Sequence, residues 1–91
     1  MLNKTQSQSN MSASKRQFQF LNVRYQLMGR GITGEISTLY VNGQQVKDFD
    51  TIDKFYNAMG QQGWEIRPLG MKQEDVYTFF VVMQREIIEY E

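Results

Sequence analysis

The segment from Phe55 to Ile66, FYNAMGQQGWEI, constrains the fold more than any other part of the chain. Its apolar residues continue a three- and four-residue spacing that begins at Ile52, and the run closes at Gly63, directly before the only tryptophan, Trp64. A glycine just past an amphipathic helix adopts the left-handed conformation without steric cost, and a tryptophan behind it can anchor the returning strand. The segment therefore predicts a helix that turns sharply into a strand.

Strand patterns precede this corner. Residues 18–28 alternate between apolar and polar positions, which predicts a half-buried strand; Phe18 and Phe20 are out of phase with it, and we interpret them as a bulge or twist near Phe20, or as a covered strand end. Residues 36–41 are β-branched and aromatic. Asn42-Gly43 follows and predicts a type I′ hairpin that pairs residues 37–41 with residues 44–48, because both turn positions need positive φ.

The second half of the chain predicts one helix and two more strands. Asp50 is expected to cap the helix, and Asp53 places a carboxylate at the positive end of its dipole. Residues 64–69 form the next strand, whose Pro68 indicates a sheet edge, and residues 70–75 form a turn. Residues 76–86 form the longest strand, which is apolar on both faces, as expected of a central strand covered once by the helix and once by something else.

These elements predict an α+β domain: an antiparallel sheet of about four to five strands, in the order β, β-hairpin, α, β, β, with one helix packed on one face. Residues 1–16 are expected to be a disordered polar tail, and residues 17–91 a single domain. The expected core under the helix is Leu21, Val23, Tyr25, Met59, Trp64, Ile66, Tyr77, Phe79, Val81 and Met83. The opposite face is expected to carry Asn22, Arg24, Gln26, Glu65, Arg67, Thr78, Phe80 and Val82.

Composition excludes several kinds of site. The chain has 91 residues, no cysteine and no histidine, so thiolate or imidazole catalysis and the common zinc sites are excluded. We therefore expect no enzyme activity, no cofactor and no metal. No apolar stretch resembles a membrane span or a signal peptide, which favours a cytoplasmic protein. The net charge is zero, and outside Lys4, Lys15 and Arg16 acids outnumber bases by three, which argues against nucleic acid as a partner.

The run MGQQGWEI, preceded by an apolar helix and followed by a turn and a strand, resembles a small family of bacterial or phage domains of unknown function. The family signature is a helix, then Gly-x-x-Gly-Trp-Glu-Leu, then a strand, and residues 56–66 match its spacing. Residues 82–85 stand where the family's closing strand commonly ends in an aromatic and basic residues, whereas the hairpin of residues 37–48 is an addition. The resemblance implies the fold and an origin in bacteria, plasmids or phages, and it implies no catalytic residue.

Other motifs have simpler explanations than chemistry. Residues 29–34, GRGITG, match a dinucleotide-binding string, but extended structure follows where that fold needs a helix, so we interpret them as a loop that could hold an anion with Arg30. Asp48, Asp50 and Asp53 fit helix capping better than a cation site. Glu65 has no partner acid or base, and a base-stacking sheet would need a more basic surround than this chain offers.

Two functions remain. The first is a non-enzymatic binding or assembly module that forms a homodimer or small homo-oligomer through the open face around Phe80, Val82 and Thr78. The second is a receptor or sequestering protein for a nucleotide-like anion held by Arg24, Arg30 and Arg67, and a phage origin would fit it.

Overall fold

The computed structural model describes residues 16–29 and 33–88, which form a five-stranded antiparallel sheet with one helix across one face. The strands lie in the order β3-β2-β1-β5-β4. Their bounds, with that of helix α1, are Gln17–Leu27 (β1), Ile36–Val41 (β2), Gln44–Gln45 (β3), Ile52–Gln61 (α1), Glu65–Gln73 (β4) and Thr78–Ile87 (β5). The α+β class and the element order are confirmed. The predicted tail, apart from Arg16, lies outside the described residues, as do Arg30 and residues 89–91.

Strand β1 is the centre of the sheet. It pairs with β5 in an unbroken register from Gln17↔Ile87 to Gln26↔Thr78, and with β2 from Val23↔Val41 to Leu27↔Ile36. The interpretation of a bulge or twist near Phe20 is wrong, because the register with β5 does not shift there and the irregularity in β1 lies at Gln26/Leu27. Phe18 and Phe20 simply occupy the face opposite the helix, since alternate residues of a strand point to opposite faces.

The predicted turn of the hairpin between β2 and β3 is confirmed, but the paired strands are shorter than predicted. Asn42 and Gly43 have φ of 51° and 82°, as a type I′ turn requires. Strand β3 contains only Gln44–Gln45, after which Val46 N donates to Leu39 O at 2.8 Å and the chain leaves the sheet. The extra length goes into residues 46–51, which cross toward the helix.

Helix α1 begins one residue later than the predicted cap suggested. Thr51 is the N-cap, and its hydroxyl accepts a hydrogen bond from Lys54 N at 3.4 Å. The predicted capping role of Asp50 is wrong, because its carboxylate instead forms an exposed ion pair with Lys54 at 3.0 Å. At the other end Gly63 has φ of 90°, and Trp64 N donates to Met59 O at 3.0 Å, which confirms the predicted corner.

Strand β4 contains the largest irregularity of the sheet. Ile66 pairs with Met83 and Met71 with Val81, so residues 67–70 bulge out opposite the single residue Val82. The prediction that the strand ends at residue 69 and turns at residues 70–75 is therefore wrong: β4 resumes after the bulge and turns only at residues 74–77. Its predicted edge position is confirmed.

The core lies between α1 and the central strands. Its buried side chains are Val23, Tyr25, Leu39, Ile52, Phe55, Val81 and Met83, with Leu21, Met59, Trp64 and Phe79 packed around them. Two predicted core residues are not buried: Ile66 is 40% exposed on the edge strand, and Tyr77 is 42% exposed in the last turn. The predicted core did not include Leu39, nor Phe55 from the apolar face of the predicted helix, and each is 1% exposed in the core.

Candidate functional site

The sheet face opposite α1, called here the open face, is the strongest candidate for a functional surface. The strand registers place on it Phe18, Phe20, Asn22, Arg24, Gln26, Thr38, Tyr40, Glu65, Lys72, Thr78, Phe80, Val82, Gln84 and Glu86. Phe20 is 51% exposed, and Leu69 on the neighbouring bulge is fully exposed. The apolar part of this face is larger than predicted because it includes Phe18 and Phe20.

Three arginines lie over aromatic rings of the open face. The guanidinium carbons of Arg16, Arg24 and Arg67 lie 5.3, 5.5 and 5.7 Å from the ring centroids of Phe18, Phe80 and Phe20. Arg16 also forms an ion pair with Glu86 at 2.9 Å, and the hydrogen bond from Arg16 lowers the pKa of Glu86. Arg24 and Arg67 have no ion-pair partner within the described part of the chain. Their charges are therefore available to an incoming group.

A hydrogen-bonded row crosses one end of the open face. Thr38 Oγ1 donates to Gln26 Oε1 at 3.3 Å, and Gln26 Nε2 donates to Thr78 Oγ1 at 3.1 Å, joining three strands. Thr78 is only 1% exposed, so this predicted interface residue lies on the expected face but has no accessible surface for a partner. Phe80 and Val82, the other two predicted interface residues, are half-buried on the same face.

Two hollows flank Phe80 on the open face. The first, of about 370 Å³, is lined by Asn22, Val23, Arg24, Tyr40, Gly43 and Phe80. The second, of about 460 Å³, is lined by Arg67, Pro68, Leu69, Gly70, Lys72, Phe80 and Val82. The predicted ligand-binding residues Arg24 and Arg67 thus line different hollows, and Arg30 lies outside the described residues. Lys72 was not predicted as a residue of this face because the predicted strand ended at residue 69.

The charged residues Glu65 and Lys72 of the open face lie at different positions along strand β4. Glu65 is paired with Gln84, two residues from Val82 in one direction, whereas Lys72 is paired with Phe80, two residues from Val82 in the other. Strand β1 repeats the asymmetry, with Phe20 at the level of Glu65 and Arg24 at the level of Lys72. Along these strands, Glu65 and Phe20 therefore lie on one side of Val82, and Lys72 and Arg24 lie on the other.

Within residues 16–29 and 33–88, no three His, Cys, Asp or Glu side chains come together as a metal site would need. Nor does any helix in these ranges have the length and apolar character to cross a membrane. Comparison with protein-family models, curated proteins and solved structures yields no match for this chain.

Proposed function

We propose that the protein is a non-enzymatic binding or assembly module of the cytoplasm that forms a homodimer through its open face. The observation that carries the proposal is that Glu65 and Lys72 lie equally far from the level of Val82, on opposite sides of it, on a face that also exposes the ring of Phe20. Exposed apolar surface rimmed by charge is typical of interaction sites, and a two-fold interface must be complementary to itself. The absence of cysteine from the chain fits a reducing compartment.

A two-fold axis at the level of Val82, in the plane of the interface and across the strands, satisfies this requirement. Glu65 and Lys72 lie about 7 Å from that level on opposite sides, given about 3.4 Å per residue. The axis therefore brings Glu65 of each protomer against Lys72 of its partner, twice. It also brings Phe20 against the partner's Arg24, a cation–aromatic contact. Sheets stacked face to face keep their strands within about 30° of each other, so these pairs stay close.

The alternative of edge-to-edge pairing is disfavoured by strand β4 itself. A flat, regular edge strand recruits other strands, whereas bulges, proline and charged residues prevent this. Here the bulge of residues 67–70 contains Pro68 and interrupts the ladder between Ile66 and Met71. The open face, not this edge, is the surface suited to a second copy.

Light scattering over a concentration series tests the proposal. The wild type is expected to have twice the 10.7 kDa mass of one chain. Phe80→Asp and Val82→Asp, which place charge in the interface, should return it to one chain. Asn57→Asp on the exposed surface of α1 is the matched control and should leave the mass unchanged. A wild type that stays monomeric at every concentration would remove the proposal.

Charge reversal tests the register. Glu65→Lys or Lys72→Glu alone places like charges together at two symmetric positions and should weaken the dimer. The double variant restores both pairs and should recover it. A mixture of the two single variants should form a heterodimer more readily than either forms a homodimer. If the double variant is weaker than both single variants, the open face pairs in a different register.

A nucleotide-like anion is the second candidate, supported by the hollow that Arg67 and Lys72 share. These two cations have no ion-pair partner among the described residues, and Phe80 offers a ring for stacking. The hollow lies at the level of the proposed axis, so a ligand would lie between protomers. Nucleotides should raise the melting temperature, and Arg67→Ala or Lys72→Ala should abolish the shift. A flat response across a nucleotide panel would exclude this candidate without affecting the dimer.

A further inference from the structure

The opposite side of the sheet carries a further cavity, called here the helix-side groove, which the proposed dimer does not use. It has a volume of about 460 Å³ and lies between the sheet, α1 and the segment of residues 46–49. Its apolar lining is Leu21, Val41, Val46, Phe49, Phe55, Met59 and Trp64, and its polar lining is Asp48, Gln62 and Arg85. A cavity of this size with a mostly apolar wall and few polar groups is typical of small-molecule sites.

Arg85 is held at the groove by an unusual set of contacts. Its guanidinium carbon lies 4.4 Å from the centroid of the Trp64 ring. Its Nε and Nη2 donate to Gln19 Oε1 at 3.1 and 2.7 Å, and its Nη1 donates to Gln62 O at 3.0 Å. The neighbouring Gly63 leaves room for it, because a Cβ there would come within 3.3 Å of Arg85 Cδ. The guanidinium is therefore fixed in position before any ligand arrives.

Part of this guanidinium is still available for binding. Arginine has five N–H donors and only three are used here, so one remains on each terminal nitrogen. No carboxylate of the described chain forms an ion pair with Arg85. A planar guanidinium with two terminal donors matches a carboxylate, which it binds through charge-assisted hydrogen bonds.

We infer that the helix-side groove binds an apolar molecule that carries one carboxylate, such as a medium-chain alkanoate. The alkyl chain lies against the apolar wall, and the carboxylate meets Arg85 beside Trp64. Asp48 is the other charged group of the groove; it is exposed, on the segment after β3, and it disfavours an anion placed near it. The charge of Arg85 and the apolar wall together select this occupant over a free anion or an amine.

Fluorescence of Trp64, the only tryptophan, reports binding directly. Hexanoate, octanoate and decanoate, titrated below their micelle concentrations, should bind saturably, with affinity rising about fourfold per methylene that is buried. Decanol and decylamine have the same chain length without the carboxylate and should bind at least tenfold more weakly than decanoate, because a hydrogen bond to a charged partner is lost. No saturable change, equal binding of decanol and decanoate, or tighter binding of decylamine would overturn the inference.

Two variants assign the residues. Arg85→Gln should remove the preference for decanoate over decanol while leaving decanol binding unchanged; an unaltered preference would contradict the role of Arg85. Asp48→Asn should strengthen decanoate binding, and a loss of decanoate binding in this exposed-site variant would also contradict the inference. Asp48→Asn keeps the test decisive if Arg85→Gln fails to fold. Decanoate binding should persist in Phe80→Asp, which separates this site from the dimer.

Discussion

Gly70→Ala is expected to destabilise the protein because the bulge of β4 has no room for a methyl group at this position. A Cβ at Gly70 would lie 2.7 Å from Arg67 O and 2.8 Å from Val82 O, and both distances are below the 3.0 Å at which something must shift. Both obstacles are backbone atoms, so a side-chain rotation cannot relieve the contact. The bulge must open or the strand must move away from β5.

The magnitude follows from overpacking. Forcing atoms into a filled site typically costs about 1–3 kcal/mol. Gly60→Ala is the matched control: Gly60 lies in α1, a Cβ there meets nothing within 4 Å, and its φ is not positive. Alanine in a helix is favoured over glycine by about 0.5–1 kcal/mol, so the same substitution should stabilise the protein at this second position. The two variants should therefore differ in sign.

Urea unfolding measured at one protein concentration compares the two variants, since association would otherwise add to the apparent stability. The midpoint for Gly70→Ala should fall and that for Gly60→Ala should rise, with unchanged slopes. Surface substitutions that make no close contacts usually change the free energy of unfolding by less than about 0.5 kcal/mol. A change this small for Gly70→Ala would refute the close packing of residues 67–70.

Three further predictions follow from single contacts. Phe55→Ala, at a position 1% exposed and in edge-to-face contact with Phe49 at 5.5 Å, should lower the free energy of unfolding by about 3–5 kcal/mol in urea titration; a loss near 1 kcal/mol would contradict its place in the core. Hydrogen bonds from the Tyr77 and Thr78 amides lower the pKa of Asp75 in the folded protein. The Asp75 carboxylate therefore stabilises the fold fully at pH values above its unfolded pKa of about 4, and this contribution is lost as the pH falls through the lower folded pKa. Asp75→Asn should therefore lower the melting temperature at neutral pH and lose that difference in acid, and a pH-independent difference would refute the assignment. Leu69 has φ of 60° and is fully exposed, so Leu69→Asn should raise the stability of the monomer by up to about 1 kcal/mol, whereas Leu69→Ala, which keeps the strain, should not.

Local turn chemistry made two corners of the fold predictable from sequence. Asn42-Gly43 and Gly63-Trp64 each need positive φ at a glycine, and that need is satisfied by neighbouring residues alone. The alternation that placed Arg24, Phe80 and Val82 on one face is likewise a local property of strands. These local features are the reason that the sheet and half of the residues of the open face were predicted correctly.

The bulge of β4 could not be predicted from its own residues, because the strand resumes only through its pairing with β5. Pro68 and Gly70 are residues that usually end a strand, and here the ladder restarts because residues 71–73 pair with residues 79–81 of β5. Lys72 joined the site only through that restart. Thr78 was misjudged for a related reason: its burial accompanies a hydrogen bond from Gln26 on β1, a residue far away in sequence.

The features that cost stability lie together on the open face. Leu69 combines a left-handed backbone with full exposure, Phe20 leaves half of its surface in water, and Arg67 is stacked over that ring without a carboxylate partner in the described chain. Backbone strain of about 1–3 kcal/mol is retained where it serves a site, and exposed rings are covered in most monomers. The helix side of the sheet instead contains every buried apolar side chain of the described core. A second copy on the open face would cover Phe20 and Leu69 and supply a partner for Lys72, so association would offset the cost of exposing these two apolar side chains.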